Sequence, residues 1–406
     1  MSPKTKLMFV DQAVAFGGSI VVLAHLLKFL DRDRYSLLLI TAMPEDVLAT
    51  LFDPGVRIVR LKPTYDYRKR EELIRRFRRF RRLGKQGIRL GAYWFTLLGA
   101  AGNLHYRWKV LQWVRAERPA LLHINNNCFY SAEVCALVGQ PYLFHYHGLA
   151  DTPLPAWHRW VLSKAATFVS ISDFVTAVFT RHRDARFQPI RTIPNPAPQP
   201  LDLSAEELRA VKQRWGLDTA ANIIGIFGRL VSWKGQMEFL QAFSRIRARF
   251  PNIVALIVGD ASDLGKDYEA KLRRWVTDHE LADSVVFTGY VSEPRPLYQV
   301  CDIVVHASIE PEPFGLVIVE GMSAGAAVIA SSLGAAPEIV THGVTGLIAD
   351  PRSPEALAQA LTVLLSEPER RKEIALAGKV HAREKYAPER FAQAFDALYQ
   401  EILARA

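Results

Sequence analysis

Cysteine is scarce: Cys128, Cys135 and Cys301 are the only three in 406 residues. Three cannot build a disulfide framework, and none has the C-x-x-C spacing of a zinc or redox site, so a reducing compartment is expected. His105, His123 and His158 lack paired metal-ligand spacing. There is no G-x-x-x-x-G-K-[ST] phosphate loop and no serine-nucleophile signature. There is also no fixed-period repeat and no low-complexity tract. The first six residues lead straight into a single short apolar run, so no signal peptide is expected. Half of the chain is hydrophobic and 23% is charged, a balance that excludes wholesale disorder and a fibrous repeat. At roughly 100–200 residues per domain, two or three domains are expected.

What is present alternates. Residues 6–10 read as a short strand, and Phe16-Gly17-Gly18-Ser19 opens an apolar helix reaching Leu30. Further strands read at 35–41, 121–124, 142–147, 167–171 and 190–193, with a helix near 131–137. Alternation of this kind predicts a parallel sheet covered by helices. Pro194, Pro196, Pro198 and Pro200 then fall within seven residues. Neither a helix nor a central strand tolerates that run, so it marks a domain boundary. Strands at 222–227, 254–258, 285–287, 303–306 and 327–330 restart the pattern, with a helix at 236–249. A last helix from about Glu389 carries Phe391, Phe395, Leu398 and Ile402 as one apolar stripe. The expected architecture is α/β, with residues 1–196 and 197–385 as two doubly wound, Rossmann-like domains facing a central cleft. Residues 386–406 are expected to return to the first domain.

Four segments could carry chemistry. In Glu310-Pro311-Glu312-Pro313-Phe314-Gly315, the turn residues precede a helix expected to begin near Leu316, with Glu320 a little over one turn inside it. The free N–H groups of such a helix start suit a phosphate. A carboxylate at Glu320 could then accept both hydroxyls of a ribose, and one at Glu312 could reach a sugar held by that phosphate. In Phe227-Gly228-Arg229-Leu230, followed by Lys234-Gly235, two cations share one loop after a strand. Arg229 and Lys234 could neutralise a diphosphate leaving group. Gly17 and Gly18 let a ligand approach the backbone but do not form G-x-G-x-x-G. His145-Tyr146-His147-Gly148 ends a strand, where ligand clefts open in such sheets. The bland readings are solvated glutamates, a surface cation pair, a tight turn and a capping histidine. Asn195 reads as structural, and Asp31-Arg32-Asp33 reads as a polar turn rather than a metal motif.

Taken together these segments resemble glycosyltransferase family 4, retaining nucleotide-sugar-dependent enzymes of GT-B fold. Gly228-Arg229-Leu230, Lys234-Gly235, Glu312-Pro313-Phe314-Gly315, Pro337-Glu338-Ile339 and Gly343 to Gly346 carry the likeness in the second half. Gly17-Gly18, His147-Gly148, Ser170-Ile171-Ser172 and Ile193-Pro194-Asn195 carry it more thinly in the first. The resemblance implies that Arg229 and Lys234 bind the donor diphosphate and Glu320 the donor ribose. It implies that Glu312 contacts the donor sugar and that Phe314, Gly315 and Leu316 offer backbone N–H groups. Gly17 and Gly18 would lie near the donor phosphates, and His147, preferred over His145 because Gly148 follows it, would lie beside the sugar at the reaction centre. A UDP- or GDP-linked donor, no essential cofactor and no metal are expected. Position 321, Gly here, is the one departure from the family pattern. A nucleotide-sugar 2-epimerase, a pseudo-transferase and a membrane scaffold are the competing readings.

The charge is concentrated. Of a net +10, the segment from Arg68 to Arg89 holds +9, with eleven Lys/Arg against Glu71 and Glu72. Leu73, Phe77 and Phe80 would share one face of a helix there, so the segment reads as a basic amphipathic, membrane-surface element. Residues 90–106 carry no Lys, Arg, Asp or Glu but fall short of the ~20 apolar residues that span a bilayer. The expected partners are a nucleotide-sugar donor, a glycan or lipid-linked acceptor and an anionic membrane surface, with no nucleic acid. The expected location is cytoplasmic, peripheral at the inner face of the cell membrane, in surface polysaccharide or lipopolysaccharide synthesis.

Overall fold

The computed structural model describes residues 3–12, 17–63, 103–149, 154–181, 190–261 and 266–405. The basic segment from Arg68 to Arg89, and the helix expected within it, lie outside the described residues.

The chain divides into two compact units. The first comprises Met1–Ser170, Val178–Ile193 and Ala392–Ala406; the second comprises Ile171–Ala177 and Pro194–Phe391. The first holds a seven-stranded, all-parallel sheet of order β3-β2-β1-β4-β5-β6-β7. Its strands are β1 (Thr5–Asp11), β2 (Tyr35–Thr41), β3 (Arg57–Arg60), β4 (Leu121–Asn125), β5 (Tyr142–Tyr146), β6 (Thr167–Ser170) and β7 (Ile190–Thr192). β4 and β5 are buried at every position, as expected of central strands with helices on both faces.

The second unit holds a six-stranded parallel sheet of order β10-β9-β8-β11-β12-β13. Its strands are β8 (Asn222–Phe227), β9 (Ile253–Val258), β10 (Val285–Gly289), β11 (Ile303–His306), β12 (Ala327–Ser331) and β13 (Leu347–Ala349). Ile224, Ile226, Phe239, Phe243, Ile257 and Val305 sit in its core. In each sheet the order reverses beside the first strand of the unit, so each carries a topological switch point, between β1 and β4 and between β8 and β11.

Two strands, β3 and β13, lie outside the set expected from the sequence. Both are edge strands: β3 has only Ile58 and Val59 between two arginines, and β13 is three residues directly after the turn at 343–346. The last helix, Pro388–Leu403, buries Phe395, Leu398 and Ile402. Ile171–Ala177 belongs with the second unit because Ser172 Oγ donates to Pro313 O at 2.7 Å and the Glu338 carboxylate accepts from the N–H groups of Asp173, at 2.9 Å, and Phe174. A carboxylate there caps the start of the helix Asp173–Arg181.

Candidate functional site

At the switch point of the second unit, β8 leads into Gly228, Arg229 and a 3-10 turn, Ser232–Lys234. β11 leads through Ser308 and Glu312 into the helix Leu316–Ala324. Lys234 Nζ donates to both oxygens of Glu312, at 2.8 and 2.7 Å. Glu312 Oε1 also lies 2.9 Å from His306 Nε2 and accepts from Ser308 Oγ. The residue is only 9% exposed. Burial alone pushes its carboxyl up, but His306 and Lys234 outweigh that and hold it well below the usual carboxylate range. Glu312 is therefore an anion fixed by three groups in a nearly dry setting.

Gly235 explains how Lys234 gets there. Its φ is +75°, and a Cβ would stand 1.9 Å from the Ala307 carbonyl oxygen. Only glycine lets the turn press against the end of β11. Lys234 Nζ lies 4.6 Å from the centre of the Trp233 ring, a favourable cation–π position.

Glu320 sits half-buried on the second turn of Leu316–Ala324. Its Oε2 accepts from Tyr298 Oη at 2.5 Å. Tyr298 is itself buried and stacks on Phe227 with ring centres 3.7 Å apart. Burial raises the Glu320 carboxyl; Tyr298 and Lys234 pull it back without cancelling the rise. Lys234 thus acts on both glutamates. Gly315 caps the helix at φ +110°, Phe314 is buried edge-on to Tyr386, and Leu316 opens the helix. Arg229 is exposed, and its guanidinium has no hydrogen bond or ion pair with other described residues; its carbonyl accepts from Gln236 Nε2 at 2.9 Å.

The first unit carries the other candidates. His147 follows β5, and its Nε2 lies 3.0 Å from Asn125 Oδ1 at the end of β4. Asn125 Nδ2 in turn donates to Asp11 Oδ2, at the end of β1, at 2.5 Å and to Ser19 O at 3.3 Å. Burial pulls the His147 imidazole down to about 3. His145 has a different setting: its Nδ1 lies 3.1 Å from His123 Nε2 and its ring packs on Phe395, while His123 Nδ1 meets Tyr399 Oη at 2.6 Å. It is a core residue; His147 stands at the strand end. Gly17 caps the helix Gly18–Phe29 in an extended conformation (φ −168°), is exposed, and would meet nothing within 4 Å if given a Cβ. The turn itself does not require glycine there.

Five residues of these sites escape a reading of the sequence alone: His306, Ser308, Tyr298, Asn125 and Asp11. Their common signal is a polar group at the end of an apolar strand or on a buried helix face. Asp31 Oδ1 accepts from the N–H groups of Asp33 and Arg34 at 2.8 and 3.2 Å, which is a turn. Among the described residues no group of three or more His, Cys, Asp or Glu could hold a metal ion, and no helix is long and apolar enough to cross a membrane.

Two Rossmann-like parallel-sheet units, each with its polar side chains gathered at a strand-order reversal, define the GT-B class of fold. Residues 17–196 match the family described as Glycosyl transferase 4-like domain, and residues 209–381 match that described as Glycosyl transferases group 1. The chain belongs to glycosyltransferase family 4. The D-inositol 3-phosphate glycosyltransferase of Corynebacterium urealyticum is 32% identical over 195 residues, which cover 46% of this chain and 45% of that protein. The GDP-mannose-dependent alpha-(1-6)-phosphatidylinositol monomannoside mannosyltransferase of Mycobacterium tuberculosis is 31% identical over 251 residues, 58% of this chain and 62% of that one. The chain thus spans about half to three-fifths of the length of these relatives. The crystal structure of Anabaena Alr3699/HepE in complex with UDP has the same fold, with a TM-score of 0.76 at 23% identity, covering 98% of this chain and 100% of that one.

Proposed function

We propose that this chain is a retaining glycosyltransferase that moves a sugar from a UDP- or GDP-linked donor to a hydroxyl of a glycan or lipid-linked acceptor. The observation that carries the reading is the grouping of Lys234, Glu312 and Glu320 around one helix start at the switch point of the second unit. One buried carboxylate held ionised, a half-buried one with a raised carboxyl, and a single ammonium acting on both at a helix start leave the cluster able to trade its internal ion pair for an incoming phosphate. Glu320 has one oxygen engaged by Tyr298 and retains acceptor capacity for ribose hydroxyls. Glu312, kept ionised, accepts from hydroxyls of the donor sugar. Lys234 and the exposed Arg229 meet the diphosphate. The relatives support the donor class: one acts with GDP-mannose, and one solved structure of this fold holds UDP.

In the proposed reaction the acceptor oxygen forms a bond to the anomeric carbon as the bond from that carbon to the phosphate oxygen breaks. The acceptor's proton passes to the departing phosphate, and the two cations offset the charge that develops there. No metal is assigned a role. Attack from the same face retains configuration without a covalent intermediate. In the first unit, the roles of His147 toward the sugar and of Gly17 and Gly18 toward the donor phosphates are those that the family resemblance alone implies.

The acceptor is proposed to be membrane-associated, in surface glycan or glycolipid synthesis at the cytoplasmic face. The +9 segment from Arg68 to Arg89 supports this, at about 1 kcal/mol per basic residue near an anionic surface. The phosphatidylinositol glycolipid named for the mycobacterial relative supports it as well. The test is to incubate the protein with UDP- and GDP-sugars and a bacterial lipid extract, and to read the anomeric configuration of the product by NMR. A retained anomer is expected. An inverted anomer, or a trapped glycosyl-enzyme adduct, overturns the mechanism. Sedimentation with anionic liposomes tests the membrane contact, which should weaken when Arg75, Arg76, Arg78 and Arg79 are neutralised.

A further inference from the structure

We infer that Asn125 holds His147 as its Nε2–H tautomer, so that the ring presents Nδ1 as a hydrogen-bond acceptor to a hydroxyl of the bound sugar. The inference rests on the reading above that His147 faces the donor sugar, and adds a positioning residue and a direction of hydrogen bonding.

Ser19 fixes the orientation. A backbone carbonyl oxygen only accepts, and Ser19 O lies 3.3 Å from Asn125 Nδ2. The amide NH2 of Asn125 must therefore face Ser19, and its second hydrogen goes to Asp11 Oδ2 at 2.5 Å. Both acceptors sit on the same side, so the amide cannot be turned over without losing both bonds and setting its oxygen against two others. That leaves Asn125 Oδ1 toward His147 Nε2, at 3.0 Å. An amide oxygen cannot donate, so the imidazole must, and Nε2 carries the hydrogen. A neutral imidazole that donates from Nε2 accepts at Nδ1. Burial keeps the ring neutral by holding it at about 3. Asp11, Asn125 and Ser19 are set by the ends of β1 and β4 and the helix Gly18–Phe29, so the orientation is built into the switch point of the first unit.

The chemical consequence is specific. An Nδ1 acceptor recognises a hydroxyl and repels a phosphate or carbonyl oxygen. A neutral ring in this tautomer has no proton at Nδ1 to give to a leaving group, so His147 selects and orients the sugar and is not a general acid. A donor deoxygenated at the facing carbon should bind more weakly.

The tautomer can be read directly. Long-range 1H–15N spectra of protein labelled at its histidine ring nitrogens distinguish protonated from bare nitrogens, and comparison with His147→Gln assigns this ring among the eleven histidines. A protonated Nε2 and a bare Nδ1 are expected for His147. A protonated Nδ1 overturns the inference, and this wild-type result needs no variant. In Asn125→Leu, or in Asn125→Ser if the former does not fold, the preference should relax to a mixture of tautomers; an unchanged single tautomer removes Asn125 from the role. Adding a nucleotide sugar that binds, as judged by thermal shift, should move the Nδ1 resonance, and binding without that movement overturns the acceptor role. Failure of every nucleotide sugar to bind overturns the functional reading instead, with the tautomer still measured.

Discussion

Lys234 Nζ bonds both oxygens of Glu312, and the same ammonium pulls down the Glu320 carboxyl from its raised position. One cation thus sits at the electrostatic centre of two glutamates that share one short stretch of chain. A diphosphate entering the site would compete with Glu312 for Lys234, while His306 and Ser308 keep hold of Glu312. The site can exchange one ion pair for another without ever leaving the buried carboxylate alone.

That coupling can be measured without substrate. Lys234→Ala removes one partner of Glu312 while His306 and Ser308 remain, and should cost about 2 kcal/mol in urea unfolding, the scale of a hydrogen bond to a charged group. The double variant Lys234→Ala, Glu312→Ala should be less destabilised than the sum of the singles, by about 1 kcal/mol or more, as is typical of contacting charges. Strictly additive losses would mean that the pair contributes nothing.

Tyr298 is expected to act through Glu320. Tyr298→Phe removes a hydrogen bond from a buried hydroxyl to the half-buried Glu320 carboxylate, worth about 1.5–3 kcal/mol if the carboxylate is charged. If Glu320 accepts from the donor ribose, affinity for the preferred nucleoside diphosphate should fall roughly tenfold, because about 1.4 kcal/mol corresponds to a factor of ten. Affinity for the 2′,3′-dideoxy analogue should barely change, since that analogue cannot use Glu320. Equal losses for both nucleotides would indicate a packing role only. A phenylalanine ring in place of the tyrosine keeps the stack on Phe227, which makes the variant a mild one for folding.

Acid should weaken the first unit earlier than carboxylate titration alone would suggest. Burial depresses His123, His145 and His147, the last to about 3. The unfolded chain takes up these protons near the ordinary histidine value of about 6.5, whereas the folded chain refuses them. Stability from this source is therefore complete above about pH 6.5 and is lost as pH falls toward the folded values. The limiting slope is about 1.4 kcal/mol per pH unit for each histidine. Denaturant unfolding at pH 7, 6 and 5 checks this, and His147→Gln should show a shallower fall. A flat profile over that interval would exclude the effect.

Gly235→Ala should be among the most damaging single-methyl changes in the second unit. It forces a side chain onto a φ of +75° and into the Ala307 carbonyl. A loss above about 2 kcal/mol, with a displaced Lys234, is expected. Gly17→Ala is the matched control: its backbone is extended and its surroundings open, so folding should be unaffected while any effect on ligand affinity reports proximity to the ligand.

Those two glycines look alike in the sequence and differ in the fold, which marks the boundary of what spacing can tell. β2, β8 and β11 are long or apolar enough to be recognised at their full extent, and Glu312, Gly315 and Leu316 fall where the turn and helix signals place them. β3 escapes because only Ile58 and Val59 stand between two arginines, and β13 because its three residues follow directly on the turn at 343–346. The partners of the site escape for a different reason. His306 and Ser308 meet Glu312 only because β11 ends in a loop that folds back on its own strand end. Tyr298 meets Glu320 from a separate helix, Arg295–Val300. Asp11 and Asn125 meet because parallel pairing sets β4 beside β1 across 114 residues of chain. Such pairings depend on strand order, which spacing within one segment does not encode.

The central claim is that the Lys234–Glu312–Glu320 cluster binds a nucleoside diphosphate. Thermal-shift titration of the wild type and Lys234→Ala with UDP, GDP, ADP, CMP and dTDP tests it most directly. At about 100 times its dissociation constant, a bound nucleotide stabilises by roughly 2.7 kcal/mol. A clear upward shift with UDP or GDP is predicted in the wild type, and none in Lys234→Ala. A shift of equal size in both proteins, or no shift with any nucleotide, would contradict it.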